Sequence, residues 1–401
     1  MRIAFFSVSD QLGGSEIALV DMIAAIRRRR PEWNLHVILP GRGPLLDRAE
    51  RAGADCVMLP LPESLARLGE FAATNARHPL AARVALAARL VPVAAGLPLY
   101  LRRLRRVLGS LRPSVLHTNG IKGHVLGARA GGPKLVWHMH EYVGDRALTR
   151  ALLKSHAPRA AAIVANSSSV AEDVARALAP PVTVRVVHNA VDLEMFTPTG
   201  PSDDLDARAG LAPAPTGTIR VGLVATFARW KGHEVFLRAI AALPRDLPVR
   251  GYVIGEPLYD TAGSQYTIDE LRACAARFGA ADRVGFTGFL RAPYAMRALD
   301  VVVHASTRPE PFGLVIAEAM ACGRAVVTSA AGGARELIEP DVDAIVHQPG
   351  DAESLSRAIA RLAADERLRR QLGTRAREAA CARFDPDRLA AALVEIYEQV
   401  A

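Results

Sequence analysis

Hydrophobic residues along this chain recur in two alternating patterns. Short runs rich in Val, Ile and Leu are each followed by a loop with glycine or polar residues. A longer stretch then follows, in which apolar residues recur every three to four positions. The short runs predict strands of a parallel sheet buried on both faces, and the longer stretches predict the helices that cover it. The predicted strands are residues 3–8, 35–39, 55–59, 114–118, 134–137, 162–166, 219–226, 250–254, 300–304, 325–328 and 344–347.

This order occurs twice, and it predicts an α/β protein with two doubly wound, Rossmann-like domains. We place the first domain at residues 1–200, the second at 215–380 and a last helix in residues 381–401. Residues 197–217 contain several Pro and Gly and little apolar periodicity, which is typical of a linker. Open sheets of this kind bind ligands at the carboxyl ends of their strands, so we expect functional residues in the loops there.

The most informative stretch is residues 300–336. Its first strand is followed by a loop that contains Glu310, and the next helix is predicted to begin at about Gly313 and to carry Glu318. Unpaired N–H groups at a helix start favour a phosphate. A carboxylate beside such a site is a poor ligand for a phosphate, but it is a good hydrogen-bond acceptor for sugar hydroxyls. The stretch therefore indicates a phosphorylated, hydroxyl-rich ligand.

Glu310 and Glu318, in the sequence EPFGLVIAE, resemble the motif of the retaining family 4 glycosyltransferases, which have two Rossmann-like domains (the GT-B fold). The resemblance implies that Glu310 contacts the hydroxyls of the donor sugar and that Glu318 binds the ribose of the nucleotide. It also implies that the backbone at Gly313, Leu314 and Val315 meets the diphosphate, and that the last helix crosses back to the first domain.

Three further loops match the family. Gly13 and Gly14 follow the first strand, where adjacent glycines let the backbone turn tightly and approach a ligand; the family's equivalent loop lies near the donor phosphates and the acceptor. His140 matches a family histidine that reaches the donor sugar, and His138, on the same face, is the competing candidate. The turn at Phe289 matches the backbone that reads the base.

The first strand of the second domain ends at Thr226, where the family usually has Arg, whereas Lys231 and the glycine after it match the family pattern. A positive pair at a helix start suits a diphosphate, since Arg binds it bidentately and Lys as a point charge. We predict that Lys231 stabilises the leaving diphosphate and that Arg229 replaces the missing guanidinium. The alternative for Arg229 is a solvated surface residue.

The implied function is transfer of a sugar from a nucleoside diphosphate sugar to a glycan, lipid-linked or small-molecule acceptor, with retention at the anomeric carbon. Cell-surface polysaccharide or glycoconjugate biosynthesis is the expected setting. We expect no cofactor and no metal, because acid pairs such as Asp341 and Asp343 lie outside any convincing metal loop. Two alternatives stay open, a sugar-nucleotide epimerase of the same architecture and a non-catalytic glycan- or nucleotide-binding scaffold.

Charge and composition narrow the partners. The net charge is +9, but the basic residues are scattered and no nucleic-acid module is recognisable. Residues 100–108 interleave arginines with apolar residues, which suits either peripheral contact with an anionic membrane or, as we favour, a core-packed helix with a solvated basic face. There is no cleavable signal pattern, no run long enough to span a bilayer and no cysteine pairing motif. We therefore expect a cytoplasmic protein that can reach the inner face of the membrane.

Overall fold

The computed structural model describes residues 1–66, 79–178, 183–258 and 263–401, and for residues 79–94 it describes the backbone only. The chain divides into two compact units. The first comprises Met1–Ala190 together with Pro386–Ala401, and the second comprises Val191–Asp385. Each unit has one parallel sheet covered by helices, so the predicted α/β class with two Rossmann-like domains is confirmed.

The sheet of the first unit has seven parallel strands in the order β3-β2-β1-β4-β5-β6-β7. Its central strands are apolar on both faces because helices cover both. The strands are β1 Arg2–Phe6, β2 Asn34–Leu39, β3 Asp55–Met58, β4 Val115–Asn119, β5 Lys134–Met139, β6 Ala160–Ala165 and β7 Val184–Val186. The helices between them are α1 Gly14–Arg29, α2 Pro44–Arg51, α3 Glu63–Ala66, α4 Pro79–Leu111, α5 Ile121–Ala130, α6 Ala147–His156 and α7 Ser168–Leu178.

The second sheet has six parallel strands in the order β10-β9-β8-β11-β12-β13. The strands are β8 Ile219–Val224, β9 Val249–Ile254, β10 Val284–Gly288, β11 Val301–His304, β12 Ala325–Thr328 and β13 Ile345–Val346. The helices are α8 Leu205–Arg208, α9 His233–Ala241, α10 Ile268–Phe278, α11 Ala292–Ala298, α12 Leu314–Ala321, α13 Ala352–Ala364, α14 Glu366–Arg383 and α15 Pro386–Val400. The last of these, α15, belongs to the first unit and packs on α1.

The segment predicted to be a linker, residues 197–217, belongs instead to the second unit, which begins at Val191. Asp206 in this segment is buried and accepts hydrogen bonds from Tyr252 (2.5 Å) and Arg250 (2.6 Å). Burial favours a raised pKa for Asp206, but the hydrogen bonds from Tyr252, Arg250 and Arg220 outweigh it, and the pKa lies well below its usual range. Pro and Gly content indicated irregular backbone correctly, but irregular backbone can still be bound to a domain surface.

The helix predicted at residues 100–108 lies within α4, and its apolar residues are in the core. Tyr100, Leu101, Leu104 and Leu108 are buried, while the arginines between them are exposed. The structure therefore has the core-packed helix with a solvated basic face. In the part of the chain that the structure describes, no helix is both long and apolar enough to cross a membrane.

Candidate active site

Glu310 lies in the loop that follows β11, at the carboxyl edge of the second sheet. Its N–H donates to the carbonyl of Ala331 (3.0 Å), and the residue forms a parallel bridge with Gly332, in the loop after β12. Two neighbouring strand ends therefore fix the backbone of Glu310. The side chain is buried, with 10% of its surface exposed.

Lys231 lies in the turn after β8 and reaches the same carboxylate. Its Nζ atom is 2.8 Å from Oε2 and 3.0 Å from Oε1 of Glu310. The next residue, Gly232, has a left-handed backbone (φ 80°), and a Cβ there would lie 1.9 Å from the carbonyl oxygen of Ala305. Only glycine fits this position, because its missing side chain lets the turn approach the end of β11.

Two further residues, His304 and Ser306, contact the carboxylate of Glu310. Ser306 Oγ donates to Oε2 (2.9 Å), and His304 Nε2 lies 3.2 Å from the same atom. Because a carboxylate accepts only, the proton of His304 belongs on Nε2, and Nδ1 accepts from Thr328 Oγ1 (3.1 Å). The sequence interpretation missed both residues, although polar side chains at the end of a buried parallel strand were a usable signal.

The pKa of Glu310 records the balance of these contacts. Burial is the largest effect and favours a raised pKa, but the Lys231 ammonium, with the His304 hydrogen bond, outweighs it. The pKa is therefore held well below its usual value, and the carboxylate is ionised at neutral pH. The site presents a buried, fixed anion beside a cation.

The helix that follows this loop begins as predicted. Gly313 is its N-cap with a left-handed backbone (φ 97°), and no side chain caps the amides of Leu314 and the residues after it. A Cβ on Gly313 would lie 3.6 Å from Cγ of Glu310 and 3.0 Å from Cδ1 of Ile316, so glycine keeps this corner compact. The uncapped start of α12 therefore lies close to the Glu310 side chain.

The remaining predicted residues of the second unit lie apart from this ion pair. Glu318 is buried in the second turn of α12. Phe289 follows β10 and is 66% exposed. Arg229 does not join Lys231 on Glu310, because its guanidinium pairs with Glu270 (2.8 Å) and lies over the Tyr266 ring. The structure therefore unites Lys231 and Glu310 but gives Arg229 other partners.

In the first unit, the predicted glycines open α1. Gly13 is its N-cap with extended backbone (φ −85°, ψ −179°), and an added Cβ on Gly14 would meet no atom within 4 Å. The backbone conformation at Gly13 and the space at Gly14 would therefore also accept other residues, so a tight turn does not explain the two glycines. Glu16, in the first turn of the same helix, is largely buried, and burial raises its pKa.

His138 and His140 lie at the carboxyl end of β5, and their rings pack 4.2 Å apart, tilted by 33°. Burial lowers the pKa of His140 to about 4 and the pKa of His138 well below its usual value, so both are neutral at pH 7. His138 is completely buried, whereas His140 lies just beyond the strand and is partly exposed. His140 is therefore the histidine that a ligand can reach. Among the described residues, no group of three or more His, Cys, Asp or Glu side chains is arranged to hold a metal ion.

Two family models together match most of the chain. The model described as "Glycosyltransferase Family 4" matches residues 12–195, and "Glycosyl transferases group 1" matches residues 212–379. The chain belongs to the family 4 glycosyltransferases. Its two parallel sheets are the two halves of the family's GT-B fold.

Solved structures and curated relatives agree with this family 4 membership. In the crystal structure of Anabaena HepE in complex with UDP, the HepE sequence is 26% identical to this chain. The structural alignment covers 100% of both chains and has a TM-score of 0.79. HepE with UDP and glucose gives a TM-score of 0.80 over 98% of both chains.

Two curated relatives are each 34% identical to parts of this family 4 chain. They are D-inositol 3-phosphate glycosyltransferase of Xylanimonas cellulosilytica and the lipopolysaccharide core biosynthesis mannosyltransferase LpcC of Rhizobium leguminosarum. The matches cover 59% and 54% of this chain, and 57% and 59% of the relatives. The chain therefore spans little more than half the length of the curated relatives it matches.

Proposed function

We propose that this protein transfers a sugar from a nucleoside diphosphate sugar to the hydroxyl of an acceptor. The observation that carries the proposal is the buried Lys231–Glu310 pair beside the uncapped start of α12. It supplies a cation and free backbone amides for a diphosphate, and a carboxylate for sugar hydroxyls, within one corner of the second unit. The structural likeness to HepE, solved with UDP and with UDP and glucose, supports the same ligand class.

Departure of the leaving group builds negative charge on the diphosphate. Groups that are already in place to meet this charge stabilise the transition state more than the ground state. We assign this role to Lys231. Its ammonium has three N–H donors, and the described hydrogen bonds to Glu310 use two of them. The start of α12, at Gly313, Leu314 and Val315, adds backbone N–H groups and the positive end of the helix dipole.

Glu310 is the residue we assign to the donor sugar. Because Lys231, Ser306 and His304 fix its carboxylate, it cannot rotate freely, and it can accept hydrogen bonds from hydroxyls in one defined direction. Glu318, one helical turn further along α12, is assigned to the ribose, and the turn at Phe289 to the base. Such preorganised acceptors favour one sugar orientation relative to the diphosphate.

From the first unit we assign His140 to the donor sugar and Gly13–Gly14 to the phosphates or the acceptor. The neutral His140 imidazole is the group we assign to the sugar hydroxyls, and its buried Nε2 has no hydrogen-bond partner among the described residues. Gly14 has open space where a Cβ would point, which suits close approach of a ligand to the backbone. We propose retention at the anomeric carbon without a protein nucleophile or a metal, the departing phosphate taking the acceptor proton.

The acceptor class is proposed from the relatives. Because two of them are named for an inositol phosphate and for the lipopolysaccharide core, we propose cell-surface polysaccharide or glycoconjugate biosynthesis. Within residues 100–108 of α4, contact with an anionic membrane would use the exposed arginines, since Tyr100, Leu101, Leu104 and Leu108 are in the core. Such contact would be electrostatic, and salt would weaken it.

The test starts with donor binding. UDP-, GDP- and ADP-sugars are screened for thermal stabilisation, and UDP-glucose is then incubated with and without acceptors, in the presence and absence of EDTA. Transfer product with unchanged anomeric configuration by NMR supports the proposal. Epimerised donor without acceptor would identify an epimerase. Binding with neither transfer nor hydrolysis would identify a scaffold.

A further inference from the structure

The first unit contains a row of ring side chains that the proposed reaction does not use. It runs from the C-terminal helix α15 along one face of the sheet to His140. Tyr397 Oη lies 2.7 Å from Nδ1 of His117, the edge of His117 faces His138 (centroids 5.3 Å, 79°), and His138 packs on His140 (4.2 Å, 33°). Tyr397, His117 and His138 are all completely buried.

His138 is unusual within this row because it is a polar side chain without polar contacts. Neither of its ring nitrogens has a hydrogen-bond partner among the described residues, although no part of the side chain is exposed. Burying polar atoms without partners costs free energy. A hydrophobic residue would fill the same place at lower cost, so its presence calls for a role.

The strand geometry supplies a role. β5 ends at Met139, and His140 follows it directly with its ring packed on the ring of His138, so both rings lie on one side of the sheet. Rotation about χ2 of histidine is broad, and functional histidines are usually fixed by a hydrogen bond to the second ring nitrogen. The Nε2 atom of His140 has no such partner among the described residues. The ring of His138 packs against His140 and can therefore select its orientation.

We propose that His138 is a positioning residue: it holds the His140 ring in the plane that meets the donor sugar, and Tyr397 of α15 holds it in turn through His117. The proposal rests on the proposed function for the role of His140, whereas the ring geometry stands by itself. Both imidazoles are neutral, so no charge repulsion opposes the stack. Helix α15 thereby contributes to the position of a residue at the carboxyl end of β5.

The test compares four variants of the full-length protein. His138→Ala removes the ring, His138→Phe keeps a flat ring without nitrogens, and Tyr397→Phe removes the hydroxyl that meets His117. His124→Ala is the matched control, because His124 is a buried imidazole that stacks on Trp137 (5.2 Å). Trp137 and His138 are adjacent in β5 and therefore lie on opposite faces of the sheet.

The first readout needs no sugar. The His140 ring signal in a 1H–13C NMR spectrum is assigned from its loss in His140→Gln. We expect His138→Ala to remove its ring-current shift and broaden it, Tyr397→Phe to shift it less, and His138→Phe and His124→Ala to leave it sharp. An unchanged His140 signal in folded His138→Ala overturns the proposal. If His138→Ala does not fold, an unchanged signal in Tyr397→Phe overturns the role of α15, and a broadened signal in His138→Phe overturns positioning by a flat ring.

The second readout is kinetic. A ligand-contacting group displaced by about 1 Å loses roughly 100-fold in rate, so we expect kcat of His138→Ala to fall by about 10- to 100-fold with donor KM unchanged. His138→Phe should recover most of the loss. An equal fall in His138→Phe would mean that the nitrogens matter rather than the stack. If no variant and no wild-type protein transfers sugar while the NMR result holds, the proposed function fails and the positioning stands.

Discussion

Replacing Lys231 by Met tests the central pair of the site. Methionine keeps the length of the side chain and removes its charge, which leaves the ionised Glu310 buried. Ser306 and His304 still donate to the carboxylate, but the Lys231 ammonium, which lowers its pKa most, is gone. We expect a folded protein with lower stability and strongly reduced transfer.

The expected loss of stability follows from the geometry. Two unit charges 2.8 Å apart attract by about 6 kcal/mol at an effective dielectric constant of 20, and desolvation offsets much of this. Removing one partner of a buried ion pair costs about 3–5 kcal/mol. We expect the lower end, about 3 kcal/mol, because the side chain of Lys231 is 21% exposed and the contacts from Ser306 and His304 remain.

The pH dependence of the loss has a defined sign. In the wild type the folded pKa of Glu310 lies below the unfolded value, so its stabilisation is fully present above pH 4.5. Without Lys231, we expect burial to raise the folded pKa above the unfolded one, so that protonation as the pH falls relieves the cost. The difference between wild type and Lys231→Met should therefore shrink from pH 7 to pH 5.

Urea unfolding monitored by tryptophan fluorescence measures the difference, since Trp230 lies against the Lys231 ammonium (4.1 Å). Lys154→Met, at an exposed lysine of α6, is the control and should stay within about 0.5 kcal/mol of wild type. The double variant Lys231→Met/Glu310→Gln should recover most of the stability. If the two single effects simply add in the double variant, Lys231 does not stabilise Glu310 and the reasoning is refuted.

Three further outcomes are expected. Glu318→Gln should weaken binding of free UDP by about 1.5–3 kcal/mol in calorimetry, and unchanged affinity in a folded variant would argue against the ribose assignment. Arg229→Ala should lower kcat less than Lys231→Ala does, because the Arg229 guanidinium is already paired with Glu270. Equal losses would indicate that Arg229 binds the diphosphate. Burial lowers the pKa of His117 to about 3 and of His140 to about 4, so the unfolded state takes up protons first. The unfolding free energy should therefore fall by about 1.4 kcal/mol for each of these two histidines per pH unit as the pH drops below about 6.5. A stability curve that is flat from about pH 6.5 to pH 5 would contradict this.

The sequence alone was sufficient for the class of fold, and it placed the candidate site at the carboxyl ends of the strands. Hydrophobic period is a local property, and in this chain it distinguishes the short buried strands from the helices between them. Because parallel strands present their carboxyl ends at one edge, the loop with Glu310 and the turn with Lys231 could each be predicted as candidates for the site. The start of α12 at Gly313 also followed from local signals.

Only the tertiary structure decided which of these residues meet. Lys231 and Glu310 are 79 positions apart, and their contact depends on β8 and β11 being neighbours in the sheet, which no local pattern encodes. The same holds for Arg229, which the fold gives to Glu270, and for His304 and Ser306, which it places on the carboxylate. Periodicity determines which face of an element is buried, but strand order and side-chain packing determine its neighbours, and those neighbours make the site.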